Sequence, residues 1–271
     1  MCGRFVSSSP PGEIADYFGV DVMADLSSEG VDGDGSAAGG RARANYNVAP
    51  TTDVMCVYID DGLRRLDPFR WGLVPGWAKD LSIGSRMINA RAETVASKPA
   101  FRSSFAKRRC ILPVDGFYEW KTCGPKKKQP YFIHRPDGEP YAFGGLWAQW
   151  RGVVAGEELA VRSSTIITGQ PNEKMAQIHD RMPLILPREA WDEWLDPTVT
   201  DPARITRLLV PAPSELIEFH PVSTQVNSVR NNGAQLIEEV PIDESPVDEA
   251  APDAGAVTTG LFGEGQADAS L

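Results

Sequence analysis

Cys2, in Met1-Cys2-Gly3-Arg4-Phe5, has the most unusual chemistry open to it. Methionine aminopeptidases remove Met1 when the second residue is small, and cysteine is small enough. The product would carry an α-amine and a thiol on adjacent carbons. An α-amine titrates at about 7.7–8.0 and a free thiol at about 8.5, so a fraction of each is nucleophilic at neutral pH. Such a 1,2-aminothiol condenses with an aldehyde. The amine forms a Schiff base, and sulfur then closes a five-membered thiazolidine ring. An incidental cysteine in a frayed terminus is the alternative at this position.

Three internal clusters could complete a site. In Ile88-Asn89-Ala90-Arg91-Ala92-Glu93-Thr94, Asn89 could hold an amine or an oxyanion, and Arg91 could grip a phosphate with two donors. A polar strand end with a surface arginine would look the same. Gly116-Phe117-Tyr118-Glu119-Trp120 embeds one acid among aromatics, where desolvation would raise its pKa into the range of a general acid or base. Strand alternation puts Phe117 and Glu119 on one face and Tyr118 and Trp120 on the other. A solvated strand glutamate is the alternative there. The third cluster is Ile178-His179-Asp180-Arg181-Met182-Pro183, with one of the chain's three histidines. His179 fits either proton transfer or a structural role. His134 and His220 lack comparable polar company and read as structural. Trp71 and Trp77, in Trp-Gly-Leu-Val-Pro-Gly-Trp, could stack on the bases of a single strand or pack in the core.

No metal or cofactor is expected. Cys56 and Cys110 lie in apolar runs, and no Cys-x₂₋₄-Cys or His-x₃₋₅-His pair accompanies Cys110 and Cys123. The 271 residues suffice for a real core, with 42% hydrophobic and 24% charged residues as in ordinary globular proteins. No apolar run is long enough to span a membrane, and no secretory signal opens the chain. Reduced thiols in a cytoplasm are the expectation. The formal charge is −10, yet residues 238–271 hold nine acids and no base, and residues 21–40 hold five acids and no base. Residues 86–135 carry twelve Lys/Arg against three acids, a stripe that could follow a phosphate backbone or be scattered surface lysines.

These side chains need rigid elements to bring them together. Val54–Ile59, Tyr131–His134, Tyr141–Phe143 and Ser164–Thr168 read as strands, and Asp60-Asp61-Gly62 and Pro136-Asp137-Gly138 as hairpin turns. Helices are expected at Pro11–Tyr17, Pro99–Lys107, Pro187–Leu195 and Asp201–Leu209, the last with Asp201 as N-cap. Residues 21–43, most clearly Ser27–Gly40, read as a flexible acidic loop, and 241–271 as a disordered acidic tail. No strand–helix alternation persists, which argues against a doubly wound fold. One α+β domain over 1–240, with a mainly antiparallel, barrel-like sheet flanked by a few helices, fits best.

In this order the clusters resemble one family, the SOS response-associated peptidase (SRAP) family. The resemblance is carried by Met-Cys-Gly-Arg-Phe at 1–5, Asn-Tyr-Asn-Val-Ala-Pro-Thr at 45–51 and Trp-Gly-Leu-Val-Pro-Gly-Trp at 71–77. It continues through Ile-Asn-Ala-Arg-Ala-Glu-Thr at 88–94, Phe-Tyr-Glu-Trp at 117–120, His-Asp-Arg-Met-Pro at 179–183, Val226-Asn227 and Arg230-Asn231-Asn232-Gly233. The resemblance implies an abasic-site processing protein that binds single-stranded DNA and links covalently to the ring-opened sugar. It implies catalytic roles for Cys2, Asn89, Glu119 and His179. Arg4, Arg91 and Arg181 would then hold phosphates, and Trp71 and Trp120 would pack against bases. A monomer in a bacterial cytoplasm, associated with the nucleoid when bound to DNA, goes with this picture. Lyase activity and removal of its own Met1 are compatible with the same residues. A non-catalytic single-strand DNA-binding module and a cysteine peptidase acting on other proteins remain the alternatives.

Overall fold

Runs of β-branched and aromatic residues dominate the fold, and the computed structural model describes residues 2–26, 44–125 and 127–242. The strands begin with β1 (Phe5–Ser7), β2 (Val22–Met23), β3 (Asn45–Val48), β4 (Asp53–Asp60), β5 (Leu63–Trp71), β6 (Asn89–Arg91) and β7 (Arg109–Val114). They continue with β8 (Gly116–Thr122), β9 (Lys128–His134), β10 (Tyr141–Val154), β11 (Glu157–Gly169), β12 (Met182–Pro183) and β13 (Glu218–Pro221). Among the described residues the α-helices are α1 (Pro11–Phe18), α2 (Arg102–Lys107), α3 (Trp191–Leu195) and α4 (Pro202–Thr206). None is long and apolar enough to cross a membrane.

Five strands close on themselves. β4 and β5 form a hairpin, β4 meets β7 at Val57↔Ile111, β7 lies along β10, and β10 along β11. A short parallel pairing, Ser163↔Arg70 and Ser164↔Trp71, returns β11 to β5 and completes a barrel. The second sheet, in the order β13-β9-β8-β1-β3, shares a core with it. The mixed α+β class and the barrel agree with the sequence-based expectation.

Strands β4 and β7 are buried on both faces, which explains their near-continuous apolar sequence. Cys56 and Tyr58 of β4, and Cys110 and Leu112 of β7, join the cluster shared with the second sheet. The alternate residues Val57 and Ile111 join a cluster made with Phe18, Phe105, Trp191 and Trp194 of the helical layer. Arg109 ties that layer down. Its guanidinium is buried and donates to the carbonyls of Phe105, Ala106, Trp194, Asp196 and Val199. Burial pushes its pKa down to about 10.

Several boundaries differ from the sequence-based expectation. The strand read at Tyr141–Phe143 runs on to Val154, past Gly144, Gly145 and Gly152, which interrupt the apolar run, because its pairing with β11 continues to Val154↔Glu157. Pro136-Asp137-Gly138 is not a hairpin turn: it passes from β9 in one sheet to β10 in the other. Asp61-Gly62 does turn the β4–β5 hairpin, both residues at positive φ. The helices expected at 99–107, 187–195 and 201–209 are shorter, with 3₁₀ geometry at Arg188–Ala190 before α3. Asp201 caps α4 as expected, accepting from the Ala203 N–H. The acidic segment at 21–43 begins as structure: β2 pairs with β5, and the Asp21 carboxylate accepts from the Arg64 N–H at 2.8 Å. Residues 27–43 and 243–271 lie outside the described residues.

Gly72 lets the chain double back after β5. Its φ is +124°, and a Cβ there would lie 2.6 Å from the Gly84 carbonyl oxygen. This close approach brings residue 88 beside Trp71, whose indole N–H donates to the Ile88 carbonyl at 3.0 Å. β6 is thereby delivered alongside β11, at Ile166↔Asn89. Gly72→Ala is expected to cost about 1–3 kcal/mol of unfolding free energy, measured by urea denaturation. Gly62→Ala, also at positive φ but with nothing within 4 Å of an added Cβ, is expected to cost less.

Candidate active site

Four segments distant in sequence converge around Cys2. The chain enters β1 antiparallel to β8, with Phe5 opposite Phe117 and the Tyr118 N–H donating to the Arg4 carbonyl at 3.0 Å. This register carries Cys2 toward Glu119. Asn89, at the start of β6, donates from Nδ2 to the Cys2 carbonyl at 2.8 Å. Its Oδ1 is buried with no hydrogen-bond partner. His179 follows a 3₁₀ turn at Met175–Gln177, its N–H bonded to the Met175 carbonyl, and its Nε2 stands 3.8 Å from Glu119 Oε2. Cys2 is 1% exposed and Glu119 2%.

Burial sets the electrostatics. It raises the pKa of the Glu119 carboxyl above the usual carboxylate value, with His179 pulling the other way. It also pushes the Cys2 thiol up, and the Glu119 charge adds to the effect. The free-thiol value assumed from sequence is therefore corrected: in this setting sulfur keeps its proton, and an amine is the better first nucleophile. The His179 ring can be served in two protonation states. Its Nδ1 accepts from the Arg181 N–H at 3.0 Å, which places the hydrogen of a neutral ring on Nε2, toward Glu119. The exposed Asp180 carboxylate, 2.8 Å from Nδ1, offers a partner to the protonated ring. A group supported in both forms is suited to passing a proton.

The residues expected to hold DNA fare differently. Arg91 is exposed and shares a face of β6 with Asn89. Trp120 is half-buried, its indole N–H donating to Asn227 Oδ1 at 2.8 Å. Trp71 is a correction. It is fully buried, 4.9 Å from the Phe5 ring by centroid, and supports β1 from below instead of facing a base. The exposed tryptophan of that motif is Trp77, at 62%. Arg4 is half-buried, and its Nη1 donates to Asn47 Oδ1 and the Val226 carbonyl. Arg181 is similarly committed, its fork closed on Glu93 and its Nη2 also on the Thr168 carbonyl.

Sequence reasoning passed over the residues that brace the site. Asp115 accepts from the backbone and hydroxyls of Ser8 and Ser9, which pins the end of β1. Asn47 Nδ2 donates to the Ser228 and Asn231 carbonyls, and Asn232 Oδ1 accepts from the Tyr46 N–H. The asparagine-rich stretches at 45–47 and 226–232 thus dock on each other. Both stretches belong to the motifs that carry the family resemblance, but nothing in either names the other as its partner. His134 and His220 are structural as expected, packed on Phe132 and bonded to the Arg135 and Ile237 carbonyls.

The chain matches known proteins over most of its length. The family model described as SOS response associated peptidase (SRAP) matches residues 1–229. Abasic site processing protein YoqW of Bacillus subtilis (strain 168) is 42% identical over 238 residues, 88% of this chain and 99% of the relative. Abasic site processing protein YedK of Escherichia coli (strain K12) is 34% identical over 241 residues, 89% of this chain and 100% of the relative. A crystal structure of a protein from Bacteroides thetaiotaomicron superposes with a TM-score of 0.71 at 25% identity, covering 89% of this chain and 100% of that one.

A carboxyl with a raised folded pKa contributes stability that is present below its ordinary value of 4.5 and lost as the pH rises through the folded value. Glu119→Gln removes that loss. The variant is expected to match the parent near pH 4 and to exceed it at pH 8, read as urea unfolding midpoints. A gap that narrows with rising pH would show that burial does not dominate at Glu119.

Proposed function

Because the chain belongs to the SOS response associated peptidase (SRAP) family, we propose that it processes abasic sites in DNA by a covalent cross-link through Cys2. The observation that carries this reading is the hydrogen bond from Asn89 Nδ2 to the Cys2 carbonyl, which holds the second residue beside a buried acid. Its relatives YoqW and YedK, named abasic site processing proteins, support the substrate class.

Removal of Met1 exposes the Cys2 α-amine, and the partnerless Asn89 Oδ1 offers it an acceptor. The abasic deoxyribose opens from hemiacetal to aldehyde, with His179 or Glu119 moving the proton. The amine adds to C1′ to give a carbinolamine. Glu119, held protonated in part by its raised pKa, donates to the departing hydroxyl, and water leaves as the Schiff base forms. The Cys2 S–H then adds across the C=N bond: sulfur bonds to C1′ and nitrogen takes the proton. The product is a thiazolidine plus one water. The ring protects the lesion because it lacks the iminium that drives β-elimination of the 3′ phosphate. Asn89 orients the amine throughout.

Single-stranded DNA is the proposed partner. Arg91 lies on the Asn89 face for a phosphate, and Trp77 and Trp120 keep exposed ring surface for flanking bases. The Arg109 side chain, though inside the basic window of the sequence, is buried among carbonyls and takes no part. Self-removal of Met1 is compatible with this arrangement: the Cys2 S–H would add to the Met1 carbonyl, the Cys2 nitrogen would leave as the amine with a proton from Glu119, and water would hydrolyse the thioester to release methionine.

The deciding measurement is intact mass, before and after mixing with a single-stranded oligonucleotide that contains one abasic site. The expected result is a parent mass lacking Met1, then a protein–DNA species that survives denaturation without a reductant. Retained Met1 and no adduct would sink the cross-link and leave a non-catalytic DNA-binding module. Cys2→Ala is expected to abolish the adduct while keeping non-covalent binding; a heat-stable adduct in that variant would refute the mechanism. Cys2→Ser keeps the amine and loses sulfur. It is expected to give a borohydride-trappable Schiff base and strand cleavage, seen on a denaturing gel.

A further inference from the structure

Arg181 and Glu93 meet fork to fork, Nη1 to Oε1 at 2.6 Å and Nη2 to Oε2 at 3.0 Å. Nη2 donates in addition to the Thr168 carbonyl at 2.6 Å, and the same carbonyl accepts from the Ala92 N–H at 2.9 Å. The two partners sit on different parts of the site. Glu93 lies just past β6, four residues from Asn89. Arg181 lies two residues past His179, and its own N–H is bonded to His179 Nδ1. The pair therefore bridges the strand that holds the Cys2 carbonyl and the turn that carries the imidazole. Beside it opens a cavity of about 240 Å³, lined by Glu93, Ala92, Gln170, Met182, Leu209 and Val210 among others. Both segments also pair with β11, Arg91 opposite Thr168 and Met182 opposite Gly169, so the fork clamps Glu93 and Arg181 together just beyond the ladders that set their register.

We propose that Glu93 is a positioning residue for the cross-linking reaction, acting through Arg181 to fix His179 relative to Asn89. The inference rests on the cross-linking chemistry proposed above. It opposes the obvious expectation for an acid near a DNA-binding surface, which is that its carboxylate repels phosphates and that its removal tightens binding. The hydrogen bond from Arg181 depresses the Glu93 pKa to about 2. A depressed carboxyl contributes its stabilisation above its ordinary value of 4.5 and loses it only as the pH falls through about 2, so the fork persists across the working range.

The test compares the full-length parent with Glu93→Gln and Glu93→Asp on a single-stranded oligonucleotide bearing one abasic site. The adduct formation rate at saturating DNA and the half-saturating DNA concentration are measured separately. Glu93→Gln is expected to slow the saturated rate by about tenfold to a hundredfold while half-saturation moves by less than about twofold. Glu93→Asp, which keeps a carboxylate, is expected to recover part of the rate. The ratio of parent to Glu93→Gln rates is expected to stay flat between pH 6 and pH 9. Amide hydrogen exchange over residues 178–182, measured without DNA, supplies a readout independent of the chemistry: the Arg181 N–H is expected to exchange faster in Glu93→Gln. An unchanged rate, or tighter binding with an unchanged or faster rate, would overturn the proposal and make Glu93 a screen on Arg181. If the parent forms no adduct, the cross-linking function fails on its own. Unaltered exchange in Glu93→Gln would then dispose of the strut as well.

Discussion

Everything in this site depends on immobilising a chain end. Terminal residues normally fray, because few contacts offset the backbone entropy lost on ordering them. Here the second residue is held at its carbonyl by Asn89, the fourth by the Tyr118 N–H, and the eighth and ninth by Asp115. Trp71 lies beneath the first strand, against Phe5. The N-terminal segment is thus built into the interior as a short strand between β3 and β8. Cys2 is buried as a consequence.

Burial of that end also sets the chemistry. A carboxyl and a thiol buried together both resist ionisation, and the Glu119 charge makes the thiol harder still to ionise. The pair favours a protonated sulfur and a carboxyl that keeps its proton to higher pH than an exposed glutamate does. Those states suit the proposed cross-link, in which an amine attacks and S–H addition follows, better than a thiolate attacking first. The same desolvation is destabilising for the fold. The closed barrel, its two-sided strands and the Arg109 anchor supply the rigidity that tolerates it.

Much of this was legible in the sequence. Glu119 among aromatics predicted a desolvated acid on the Phe117 face, and alternation along β8 delivers it there because strand periodicity is a local property. Asp61-Gly62 announced its hairpin through the φ values that turn requires. The arginines were less readable. Arg109 looks like a surface cation of the basic window and Arg4 and Arg181 like phosphate ligands, yet each closes on carbonyls or a carboxylate supplied from elsewhere in the chain. Charge counted along a sequence says nothing about a partner contributed more than eighty residues away. Trp71 and Trp77 share one motif, and only packing separates the support from the exposed ring.

The sequence by itself determined the family and the α+β class, because motif order and hydrophobic period are local facts. The tertiary structure alone decided which side chains share a space. Asn89 meets Cys2, Glu93 meets Arg181, and Asn47 meets the 226–231 segment through strand pairings and loop closures spanning much of the chain. Those meetings depend on register and on the fold-back at Gly72, where the backbone approaches too closely to admit a side chain. Linear spacing does not encode such proximity, because it arises only when the barrel has closed.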